Sequence, residues 1–147
     1  MNRRRTERIC LVAALAAAAL LAGLAAGCGA DRLDVTVSVR NVGQAPVSGL
    51  SVVQRDGIRR PMPTVLSGET ISVRVRSDEP FDESSLDLVD EEAGVIYPLP
   101  PYYFENSLHG TIAVELSRIQ EEGPVHGRAK CDTDAYSNPK GWEHLIR

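Results

Sequence analysis

Apolar and polar residues alternate with a period of two over much of the chain beyond position 32. Leu33, Val35, Val37 and Val39 share one face, while Asp34, Thr36, Ser38 and Arg40 share the other. That alternation predicts a half-buried strand. Asn41-Val-Gly43 and the stretch 46–49 carry turn chemistry, and a second short strand follows over 50–54. Asp56-Gly57 predicts a tight hairpin, because both residues tolerate positive φ. The returning segment 58–65 contains Pro61 and Pro63, which lack the N–H a central strand needs, so it reads as an edge strand or irregular. After the Ser67-Gly68 turn, Ile71, Val73 and Val75 alternate with Ser72, Arg74 and Arg76. Leu86 and Leu88 open another strand, a turn at 90–94 leads back through Val95 to Tyr97, and Ile112, Val114 and Leu116 supply the last. Six or seven short strands with no helical period predict an all-β fold, an antiparallel sandwich over 33–119. Gly123, Pro124, Gly127, Pro139 and Gly141 then break the pattern, so 120–147 reads as a loosely ordered tail.

The first 27 residues follow other rules. Arg3, Arg4, Arg5 and Arg8 precede an apolar run from Ile9 to Ala26 that ends in small residues before Cys28. A basic start, an apolar middle and a small-residue exit are the parts of an export signal, here a signal-peptide helix over 1–27 with a short tether at 28–32. The segment Leu24-Ala-Ala-Gly-Cys28 resembles the lipobox of bacterial lipoproteins. That resemblance implies cleavage before Cys28, a covalent lipid (palmitate among the acyl groups) on its thiol, and anchorage to a cell-envelope membrane. The commonest lipobox has Leu three residues before the cysteine. Here Ala25 holds that place and Leu24 stands one earlier, which keeps ordinary signal cleavage as an alternative, and the length of the apolar run keeps a retained transmembrane helix as another. Gly29 rather than Asp after the cysteine allows an outer-membrane site facing the periplasm, if the cell is Gram-negative.

The strands carry a second resemblance. The stretch from Val35 to Gly43, then Val47 to Val52, then Leu66-Ser-Gly-Glu-Thr-Ile-Ser-Val73, is similar to bacterial immunoglobulin-like adhesion-type modules. Their repeated features are a strand followed by Asn-x-Gly and a Leu-x-x-Gly-Glu turn. Tyr103-Phe-Glu and the stretch from His109 to Glu115 resemble the last strands of small uncharacterised bacterial lipoproteins. The resemblance implies an immunoglobulin-like β-sandwich and an anchor, and no activity. The chain departs from antibody domains in having no cysteine pair across the sheets, and Trp142 lies outside the strands.

Charge narrows the partners. Loss of 1–27 removes four of 16 basic and one of 20 acidic residues, leaving 12 against 19 and moving the formal charge from −4 to −7. So acidic a chain is a poor generic ligand for nucleic acid, whose affinity rests on neutralised phosphates. An envelope protein or a glycan is the expected partner. No Gly-x-Ser-x-Gly elbow, His-Glu-x-x-His pair or phosphate-binding glycine loop occurs, so no catalytic residue is assigned and a non-catalytic module is expected.

Candidate binding residues fall in two places. Tyr97, Tyr102, Tyr103 and Phe104 flank Pro98, Pro100 and Pro101, and aromatic rings beside stiff prolines suit peptide or glycan contact. The same rings are also needed by a core so poor in aromatics. Asp78, Glu79, Asp82, Glu83, Asp87, Asp90, Glu91 and Glu92 form an acidic run. A calcium site drawing on Asp78, Glu79, Asp82, Glu83, Asp90 and Glu91 is the alternative to a solvated acidic edge, since calcium takes six to eight oxygen ligands. Arg55, Arg59 and Arg60 read as a solubilising hairpin tip. His126, Cys131, Asp132, Asp134 and His144 lack the paired spacing of a zinc site, so no metal or other cofactor is expected there.

Overall fold

The computed structural model describes residues 32–55, 57–119 and 123–146. The expected signal helix, Cys28 and most of the tether lie outside the described residues. Among those residues the protein is all-β, with no helix: β1 (Leu33–Asn41), β2 (Leu50–Gln54), β3 (Arg59–Pro61), β4 (Thr70–Ser77), β5 (Glu83–Ser84), β6 (Leu86–Asp90), β7 (Val95–Pro98), β8 (Phe104–Glu105), β9 (Leu108–Arg118), β10 (Val125–Thr133) and β11 (Glu143–His144). A five-stranded sheet runs β11-β10-β9-β1-β4, a four-stranded sheet runs β3-β2-β6-β7, and β5 pairs with β8.

In β1, β6 and β9 alternation decides which side of the strand is buried. Leu33, Val35, Val37 and Val39 of β1 are fully buried, as are Ile112, Val114 and Leu116 of β9 to within 1%. From the other sheet Leu50, Val52, Leu86, Leu88 and Tyr97 enter the same core cluster. Full burial of a Val, Leu or Ile side chain stabilises by about 1.5–3 kcal/mol, so this shared core is the main source of cohesion. Residues that read as turn makers close its rim. Buried Asn41 donates from Nδ2 to the carbonyls of Ala45 (2.8 Å) and Val65 (2.9 Å), and its Oδ1 accepts from Gly43 N. At the Leu66–Glu69 turn the Glu69 carboxylate accepts from Leu66 N, with Gly68 at φ +76°. β3, which ends in Pro61, is an edge strand, as its prolines demand.

Two sequence expectations are corrected. First, the fold is not purely antiparallel: β1 and β9 run parallel, from Leu33 opposite Leu108 to Asn41 opposite Leu116. Hydrophobic alternation specifies the buried face of a strand but neither its neighbour nor its direction. A parallel pair needs a long connection, and here β2 to β8 supply it. Second, residues 123–146 do not form a loose tail. β10 pairs antiparallel with β9 over its whole length, and β11 pairs with β10. Its inward positions are Val125, Gly127, Ala129, Cys131 and Thr133, and those after Val125 are small or polar residues that carry little hydrophobic signal.

Two polar contacts join the sheets at the start of β10. Tyr97 Oη of β7 donates to Val125 O at 2.7 Å. Asp90, last residue of β6 and fully buried, accepts from Arg118 Nη2 at 3.1 and 3.0 Å, from Ala93 N at 3.1 Å and from Val125 N at 3.4 Å. Arg118, last residue of β9, also donates from Nη1 to Glu92 Oε2 at 3.0 Å, while Ser48 Oγ donates to Glu92 Oε1 at 2.7 Å. Removing one member of such a pair strands a buried charge, at a cost of about 3–5 kcal/mol. Arg118→Met and Asp90→Leu are each expected to destabilise on that scale in urea denaturation, and the double variant to lose clearly less than the sum. Strict additivity would show that the two charges are not coupled.

Candidate functional site

The sequence-selected aromatics separate into two pairs. Tyr97 and Phe104 are buried, at 1% and 2% exposure, and Phe104 meets Phe81 edge-to-face at 5.5 Å. Tyr102 and Tyr103 are exposed at 49% and 63%. The connection between β7 and β8 therefore spends its outer rings on the core and presents its middle two to solvent.

Those two rings are joined by residues from the far end of the chain. A cleft of about 400 Å³ is lined by Pro100, Pro101, Tyr102, Tyr103, Ala135, Tyr136 and Glu143. Tyr102 Oη donates to Glu143 Oε2 at 2.7 Å and Tyr136 Oη donates to Glu143 Oε1 at 3.0 Å, so one carboxylate ties both walls together. The bond to Glu143, with lesser help from burial and the carboxylate charge, pushes the Tyr102 phenol up to about 12.

The wall that carries Tyr136 is held by local bonds. Tyr136 N donates to Thr133 Oγ1, and Thr133 N donates to Tyr136 O. Asp134 grips the start of β9: its Oδ1 accepts from His109 N at 2.8 Å and its Oδ2 lies 2.7 Å from His109 Nδ1. Burial pushes the Asp134 carboxyl up, but the His109 backbone and ring together outweigh it and hold the group below its ordinary value. Neighbouring Gly110, at φ +135°, lets the backbone of Asp132 and Thr133 approach where a Cβ would collide with the Asp132 carbonyl. On the approach to β11, the Trp142 ring takes Arg128 at 4.6 Å and Lys130 at 4.8 Å from its centroid.

The acidic run does not come together. Asp90 is committed to Arg118 inside the core and is not available to the calcium alternative, and Glu91 Oε1 already accepts from Ser51 and Arg59. Asp78, Glu79, Asp82 and Glu83 are exposed along the approach to β5. Asp87 is half-buried on β6, and burial raises its carboxyl pKa. Among the described residues no group of three His, Cys, Asp or Glu side chains could hold a metal ion. His126 and His144 line another cleft with Arg128 and Glu115, while Cys131 is buried and its thiol is pushed up by that burial.

Sequence reasoning missed Tyr136 and Glu143, which stood in the supposed tail, and misplaced Asp90 in a turn. Parity could have found Asp90 and Arg118: each continues an inward series, Leu86-Leu88-Asp90 and Ile112-Val114-Leu116-Arg118. Nothing in the spacing could have joined Tyr102 to Glu143. The chain matches no protein-family model, no curated protein and no solved structure.

The Tyr102 shift has a direct check. A phenol whose folded pKa is raised adds stability that is complete below its unfolded value near 10 and disappears as pH rises through about 12. Spectrophotometric titration is expected to show one phenol ionising near pH 12, and Glu143→Gln to bring it down toward 10. An unchanged late phase in that variant would detach Tyr102 from Glu143.

Proposed function

We propose that this protein is a lipoprotein of the bacterial cell envelope, tethered by a lipid on Cys28, whose immunoglobulin-like β-sandwich is a non-catalytic interaction module. The observation that carries the interaction reading is the Tyr102–Tyr103–Tyr136 cleft. Three exposed tyrosines around one carboxylate, on a frame of paired strands, form a contact surface rather than a core. Tyrosine offers a large apolar area with a polar tip and loses little conformational freedom when it is covered, which makes it a common anchor of recognition surfaces. The lipobox-like stretch 24–28 supports the anchor, and the two sheets with one shared core support the sandwich.

The glycan reading keeps one specific observation in its favour: exposed rings beside prolines can stack on sugar faces, and Glu143 can accept from hydroxyls. The calcium reading loses ground, because Asp90 and Glu91 have other partners.

Metabolic labelling with a fatty acid is expected to mark the wild-type chain and to leave Cys28→Ala unlabelled; equal labelling of both would remove the anchor. A photo-crosslinking amino acid at position 103 is expected to give a discrete adduct in intact cells. The same probe at Ser72, exposed on edge strand β4, should give none. Identical adduct patterns from both positions would argue against a dedicated surface.

A further inference from the structure

The lining of the tyrosine cleft is chemically one-sided. Its formal charge comes from Glu143 alone, and none of its residues is cationic. Both polar tips that meet the carboxylate are phenols donating inward, and Tyr136 Oη also accepts from Asn138 Nδ2 at 3.3 Å, so what they leave for a ligand is the Tyr102 oxygen lone pairs and the ring faces. Aromatic faces carry the negative lobe of the ring quadrupole and attract cations. A carboxylate framed by such rings favours a donor of positive charge over an anion or a neutral acceptor.

The surroundings point the same way. The mature chain carries 12 basic against 19 acidic residues, so long-range attraction draws in a positive partner. The Trp142 ring, next in sequence to Glu143, already receives Arg128 and Lys130, so an aromatic side chain holding ammonium and guanidinium groups is realised within this sheet. At about 400 Å³ the cleft lies at the low end of the roughly 300–1,000 Å³ range of small-ligand pockets and has room for a lysine side chain. Its walls are fixed beforehand, by the Asp134–His109 grip and the Thr133–Tyr136 turn on one side and the prolines on the other.

We infer that the cleft formed by Tyr102, Tyr103, Tyr136 and Glu143 is a docking site for a basic peptide segment of a partner protein, taking one lysine side chain with its ammonium group at Glu143. The inference rests on the interaction-module reading and supplies the chemistry of the partner. Recognition is a charge-assisted hydrogen bond at the base of the cleft and cation–π contact along its walls.

The test uses the full chain and a fluorescent pentalysine peptide, read by anisotropy, with its Nε-acetylated form and chitotetraose as competitors. Unlabelled pentalysine should displace the probe, and the other two should not. Glu143→Gln, which keeps the shape, should weaken binding about tenfold or more. Tyr103→Ala, at the most exposed ring, should weaken it about threefold or more with no change in thermal midpoint. Glu79→Gln, which removes an exposed carboxylate from another part of the chain, should leave affinity unchanged. Equal losses in the Glu79 and Glu143 variants would reduce the effect to general charge and overturn the site. Competition by acetylated peptide would remove the ammonium, and displacement by chitotetraose alone would make the occupant a glycan. Either of those failures leaves the interaction module standing. Tight pentalysine binding with no adduct in cells would count against the module and not against the cleft.

Discussion

The buried pair of Asp90 and Arg118 is the constraint around which the two sheets are arranged. Each residue ends a strand, β6 in one sheet and β9 in the other, and each occupies the inward position of its series. An unpaired carboxylate or guanidinium there would forfeit its hydration with nothing in return. The sheets must therefore meet so that the two charges touch, with 3.0 Å between Nη2 and Oδ2. Such a pair adds little net stability over apolar residues of similar shape, but it excludes registers and packings in which the charges miss each other.

The same corner orders the last two strands of the fold. Val125 opens β10 with its N–H on Asp90 and its carbonyl on Tyr97, so the strand begins under instruction from the opposite sheet. β10 then pairs along β9 to Thr133, and the turn after it delivers Tyr136 and Glu143 to the Tyr102 loop. The cleft thus depends on packing some distance away in sequence. A residue at 118 and a residue at 90 help to decide where residue 143 stands.

Much of the core was legible because burial on a strand has a period of two. Leu33 to Val39, Leu86 and Leu88, and Ile112 to Leu116 all face as their alternation requires, and the proline-bearing segment after the first hairpin is an edge. The limits of that rule are equally physical. It scores apolar side chains, so Asp90 and Arg118 were passed over although they stand in phase. It also passed over β10, whose inward residues are small, because Gly127, Ala129 and Cys131 fill a narrow space without a strong hydrophobic signal. The candidate aromatics were half legible: composition showed that the core needed rings, but not which of four neighbours would supply them.

Local chemistry in the chain was enough to specify strands, turns and inward faces, because those depend on side-chain alternation and on residues such as Asn41 and Gly68 that act on their own neighbourhood. Strand order, the parallel pairing of β1 with β9, and the meeting of Tyr102 with Tyr136 and Glu143 belong to the folded molecule. They join positions tens of residues apart, and such contacts are selected by closing one core and satisfying its buried polar groups together, a condition that no single stretch of sequence contains.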